Sequence, residues 1–146
     1  MRHDFHCIAT GIGSLPIQDP ERAVALSLNT VCEAPFWPQL PKRTFHEQMD
    51  AQYSECLPGL VVDEANKKVF FDTSRDLMPE LERFFERYLE KDYAFFRISE
   101  AYAAALPVFI RALQKGLPPR MKYVKGQITG PLTAGLRPPR RPGTTS

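Results

Sequence analysis

No run of apolar residues in this sequence approaches the ~20 that cross a bilayer, and the opening Met1-Arg2-His3-Asp4 lacks the apolar segment of a secretory signal. A membrane-spanning or secreted class is therefore not expected, and the expected location is the cytoplasm. Cysteine is sparse. Cys7, Cys32 and Cys56 are odd in number and far apart, which argues against a disulfide framework and against a CxxC metal knuckle. They read as free thiols, mostly buried. A surplus of one charge is missing too: the formal net charge is +2, and Arg137, Arg140 and Arg141 lie in an acid-free C-terminal stretch, leaving −1 for the rest. The other Lys and Arg are interleaved with Asp and Glu, as on a solvated face, so no nucleic-acid partner is expected. GxSxG, P-loop and GxGxxG motifs are absent, which removes support for hydrolase, phosphotransferase and dinucleotide-binding readings. No general acid/base pair stands out; Asp63-Glu64 and Asp72 border a hairpin candidate and read as exposed.

What is present suits a globular protein. The 146 residues, 43% hydrophobic and 25% charged, can bury one core. A strand is expected over residues 5–10, followed by the corner Ala9-Thr10-Gly11-Ile12-Gly13-Ser14-Leu15-Pro16. Asp19-Pro20-Glu21 then supplies an N-cap, a proline at the first helical position and a first-turn acid, predicting a helix over residues 20–31 with Val24, Leu28 and Val31 on one face. The prolines of Pro35-Phe36-Trp37-Pro38-Gln39-Leu40-Pro41-Lys42-Arg43 allow only a brief extended run before a loop. Thr44-Phe45-His46-Glu47 has the form of a capping box and predicts a helix over residues 45–56, stopped at Pro58-Gly59. Leu60-Val61-Val62 and Val69-Phe70-Phe71 flank a polar loop and predict a β-hairpin, a common insertion on a larger scaffold.

A further helix begins near Leu77 or Pro79 with Leu81, Phe84, Phe85, Tyr88 and Leu89 as an apolar stripe read as core. Ser99-Glu100 predicts the next, to residue 114, with Tyr102, Leu106, Phe109, Ile110 and Leu113 inward, Gly116 as its stop and Pro107 as a kink. Residues 121–133 then read as a strand ending at a second corner, Thr129-Gly130-Pro131.

A strand, helix, strand, helix order with ligand-ready corners points to a parallel α/β architecture, open sheet or barrel. A corner glycine lets the backbone approach a ligand, and Ser14 offers a hydroxyl and an amide to a carboxylate or phosphate. The competing reading is an ordinary strand-to-helix turn. Trp37 could form an apolar wall, Gln39 and Gln127 could act as amide partners, and Thr129 with the Gly130 backbone could serve the other corner. Trp37 reads equally as a packing residue, and Lys42-Arg43 as a solvated pair instead of an anion site. His3, His6 and Cys7 are close in sequence, but neighbouring strand residues face opposite ways, so no metal site is expected from them.

Three segments, Thr10 to Pro16, Pro35 to Arg43 and Lys125 to Thr133, together resemble the N-terminal part of barrel proteins in the superfamily of uroporphyrinogen decarboxylase and cobalamin-independent methionine synthase. The resemblance runs from Phe5 to Leu136. It implies the front portion of a (β/α)8 TIM-type barrel, incomplete, with a hairpin insertion, and a site at the C-terminal strand ends. It places Ile12, Gly13 and Ser14 on the motif that binds the amino-acid part of homocysteine in methionine synthase, and so implies methyl transfer to a thiol.

Such chemistry uses zinc to hold the acceptor sulfur as a thiolate, with a folate or corrinoid as methyl donor. The zinc ligands belong to later strands of the family's barrel, and the residues around Cys7, Cys32 and Cys56 do not match them. The decarboxylase's arginine-rich motif has no counterpart between Gly11 and Asp19, making a lyase fragment the weaker analogy. The expected partner is a small thiol amino acid or other carboxylate.

Composition changes after Leu136. Residues 1–136 read as a partial barrel domain and residues 137–146 as a disordered Arg/Pro-rich tail, either natural or an out-of-frame or truncated end. A barrel fragment is expected to be inactive alone and to self-associate through open sheet edges. The alternative is a stand-alone α/β module that binds a small carboxylate without catalysis.

Overall fold

The computed structural model describes residues 7–130. The expectations for His3, His6, Pro131 to Leu136 and the 137–146 tail fall outside that range. The described chain is α/β. It holds three α-helices, α1 (Pro20–Thr30), α2 (Met78–Leu89) and α3 (Ala105–Lys115), one 3-10 turn (Phe45–Glu47) and two strands, β1 (Leu60–Asp63) and β2 (Lys68–Phe71). No barrel is formed by these elements, and among the described residues no helix is long and apolar enough to cross a membrane.

The residues gather into two compact units. The first contains residues 7–44 and 103–127. Its α1 starts where the sequence places it: the Asp19 carboxylate accepts from the N–H groups of Glu21 and Arg22, and Pro20 takes the first helical position, where a missing N–H costs nothing. Ala23, Val24 and Ser27 form its buried side, and α1 packs against α3, whose buried side is Ala105, Val108 and Phe109.

Three extended segments lie with these helices. Ser14 bridges Gln39 and Phe36 bridges Lys125, both in the parallel sense, so the order is first segment, residues 36–39, then the segment at Lys125. The described residues 7–10 of the strand expected over residues 5–10 form no bridge, the pairing falling later at Ser14, and the strand expected over residues 121–133 is reduced, in its described part, to the single bridge at Lys125. Prolines at 35, 38 and 41 remove donors from the middle segment, and a ladder cannot propagate through them.

The second unit contains residues 45–102 and 128–130. β1 and β2 pair antiparallel in the register Leu60↔Phe71 to Asp63↔Lys68, the hairpin read from the sequence. Three expectations are corrected here and at α3. The capping-box segment forms only the 3-10 turn, not a helix over residues 45–56. Its buried residues are mostly polar, Glu47, Gln52 and Ser54 beside Ala51. The Ser54 hydroxyl donates to the Ala51 carbonyl (2.6 Å), a group a helix would use, and the Gln52 amide ties the segment to the distant Tyr102 carbonyl (2.8 Å).

The helix expected over residues 99–114 begins instead at Ala105, which puts Pro107 in its first turn, where proline needs no kink; Gly116 closes it. The α2 stripe is not core. Phe84 meets Phe85 and Phe96 edge-on, but Phe85 is 55% and Leu89 77% exposed, and no α2 residue is buried.

Candidate functional site

At the C-terminal ends of the three parallel segments, Gly13, Ser14, Trp37, Gln39 and Gln127 come together in the first unit. Backbone hydrogen bonds fix the corner: Gln39 N–H donates to the Gly13 carbonyl (2.8 Å), and Leu15 N–H donates to the Gln39 carbonyl (2.9 Å). On the other side Lys125 N–H donates to the Pro35 carbonyl (2.9 Å). The middle segment is held from below by α1, where the Ser27 hydroxyl donates to the Phe36 carbonyl (2.6 Å) and accepts from the Phe36 N–H (3.1 Å). Thr10 adds a hydroxyl bond to the Ala34 carbonyl (2.8 Å).

The glycines of the first segment are explained by what lies against them. A Cβ on Gly11 would collide with the Phe36 ring, and one on Gly13 with the Gln127 amide. Gly13 also holds φ +107°, a left-handed conformation that side chains oppose. Gln127 reaches over the middle segment, its Nε2 donating to the Trp37 carbonyl (2.8 Å). Lys125, two residues earlier and therefore on the same side of an extended chain, reaches the Gly11 carbonyl with its Nζ (2.5 Å). Lys125 was not singled out from the sequence. The signal was there: Lys125-x-Gln127 has the same spacing of two as Gly11-x-Gly13, and large reaching side chains opposite residues without Cβ atoms fill the space those residues leave.

Trp37 and Gln39 are buried, 6% and 7% exposed, so Trp37 packs within the unit and offers no open stacking face. Ser14 is exposed, and Ile12 is 83% exposed. Lys42 and Arg43 lie on the surface. Thr129 and Gly130 belong to the second unit, where the Thr129 hydroxyl donates to the Met49 carbonyl (2.9 Å).

The three thiols do not form a site. Cys7 is exposed, Cys32 donates to the Asn29 carbonyl (3.2 Å), and Cys56 donates to the Phe95 carbonyl (3.0 Å). Burial, with Glu55 nearby, pushes the Cys56 thiol above its ordinary value and keeps it protonated. Among the described residues no three of His, Cys, Asp and Glu gather into a metal-binding group. The second unit has a concavity of about 290 Å³ lined by Tyr88, Leu89, Lys91, Tyr93 and Phe96.

Comparison with protein-family profiles, with curated proteins and with solved structures gives no match for this chain.

Proposed function

We propose that the first unit is the front portion of a (β/α)8 barrel of the methionine-synthase type, and that its corner binds the carboxylate end of a small thiol acceptor. The observation that carries this reading is the parallel succession of three chain segments, with Gly13-Ser14, Trp37-Gln39 and Gln127 at their C-terminal ends. That is the end at which barrel enzymes place their substrates. The exposed Ser14 hydroxyl can donate to a carboxylate.

In the reaction this reading implies, a folate or corrinoid donor would supply the methyl group and keep the electrons of the broken bond, while the acceptor's sulfur would take the methyl and release its proton to solvent. The described residues of this chain do not fit a zinc ion, and no step through one is assigned to them. Their part is to bind and orient the acceptor.

The single tryptophan of the chain, Trp37, is next to the corner and reports on it. Titration of its fluorescence with homocysteine and 4-mercaptobutanoate is expected to saturate for at least one of them, and Ser14→Ala to weaken it severalfold. No response and no heat of binding to either compound would sink the reading.

A further inference from the structure

We propose that Lys125 is a ligand-binding residue of this corner, whose ammonium pairs with the acceptor's carboxylate and selects thiol acids that carry no α-ammonium. The inference rests on the reading of the corner given above and names the class of ligand it takes. Lys125 is only partly exposed, and its Nζ reaches across the middle segment to the Gly11 carbonyl (2.5 Å), two residues before Gly13. One carbonyl uses one of the three ammonium donors and neutralises none of its charge.

No carboxylate in the described structure supplies that charge. The first unit has three described acids, and each is engaged elsewhere. Asp19 caps α1, Glu21 lies 3.8 Å from Arg111, and Glu33 takes the Lys122 ammonium at 2.5 Å. Against these three stand eight Lys and Arg in the same described residues. A part-buried cation without a counter-charge, in a unit with a surplus of cations, favours an anion and disfavours a second cation.

An α-amino acid brings both charges within a few ångströms of each other. Its carboxylate would be drawn to Lys125 while its ammonium would find no acid among the described residues of the corner and would face Lys125. A thiol acid lacking that ammonium has only the favourable part. Gln127, beside Lys125 and held by the Trp37 carbonyl, fixes the wall along which the ligand's chain would lie.

The test uses the full chain, Trp37 fluorescence with calorimetry as a second readout, and three probes: 4-mercaptobutanoate, its neutral amide, and homocysteine. In the unaltered protein 4-mercaptobutanoate is expected to bind about tenfold tighter than either of the others. Lys125→Met is expected to erase that advantage while leaving the amide's affinity unchanged, and Lys125→Arg to keep most of it. Circular dichroism and thermal melts establish that both variants fold.

Equal binding of the acid by Lys125→Met and the unaltered protein overturns the proposal and leaves the corner itself standing. So does homocysteine binding as tightly as 4-mercaptobutanoate. If Lys125→Met loses acid and amide alike, Lys125 is a strap between segments and the proposal also fails. A Lys125→Met chain that does not fold leaves Lys125→Arg and the three-probe ranking to decide. If no thiol acid binds the unaltered protein, the reading of the corner falls together with this one.

Discussion

Gly13 carries the strictest requirement of any residue at the corner, because two independent constraints meet there. Its φ of +107° is costly for an L side chain, and the Gln127 amide occupies the place a Cβ would take. Gly13→Ala is expected to destabilise the chain by about 1–3 kcal/mol in denaturant titration. Adding Gln127→Ala should recover only the steric share, because the backbone strain would remain. Ser27 is as exacting in the core. It both donates to and accepts from the Phe36 backbone while buried, so Ser27→Ala leaves the Phe36 N–H without that acceptor and should cost about 1–3 kcal/mol.

Acid sensitivity should come from the surface carboxylates. Glu80 is held below its ordinary value of 4.5, first by the hydrogen bond from Arg75 and then by the Gly59 N–H. Such a group binds its proton more weakly in the folded state. Its contribution is complete above the ordinary value and is lost as pH falls through the depressed one. Melting temperature followed from about pH 5 down to pH 2 should fall, and Glu80→Gln should make that fall shallower. An unchanged slope would show that Glu80 is not coupled to folding.

Among the elements, those with a local cause were legible in the sequence. The Asp19-Pro20-Glu21 start is self-contained, and α1 begins there; Asp19→Ala should remove two capping bonds at a cost of about 0.5–2 kcal/mol, read from the denaturation midpoint. The hairpin was legible for the same reason, since two β-branched and aromatic runs flank the polar loop between Asp63 and Lys68, and the Asn66 side chain and N–H close on the Asp63 carboxylate. Elements decided by distant partners were not legible. The segment after Thr44 has a helix-start signature, but Gln52 bonds Tyr102 across 50 positions, which no local pattern encodes. Ser99-Glu100 resembles a helix start and would put Pro107 inside a helix; the helix starts six residues later, and the same proline then sits in the first turn. At the corner, Gly13 and Ser14 could be read from their types, whereas Lys125 becomes visible only when its reach to Gly11 is known.

For the molecule as a whole, the two units differ in what holds them. The first buries an apolar contact between α1 and α3, with Ala23 and Ala105 fully buried and Val24 and Phe109 nearly so. The second pairs a two-stranded sheet and carries α2, which has no buried residue at all. An isolated hairpin is marginal in water, and a helix without a buried side lacks the burial that normally supplies most helical stability. The alternation of apolar residues along α2 was therefore a sound guide to its helical form and a poor guide to its burial, because periodicity states which residues share a side and not whether anything lies against it. Local stability should follow burial. Hydrogen exchange resolved by peptide is expected to show the slowest amides in Pro20–Thr30 and Ala105–Lys115, with Met78–Leu89 exchanging at least tenfold faster, a difference of about 1.4 kcal/mol in opening free energy. Equal protection of α2 would mean that its apolar side is covered in solution, and a dilution series would then show whether a second copy covers it: protection lost on dilution identifies self-association, and protection that persists identifies contacts within the chain.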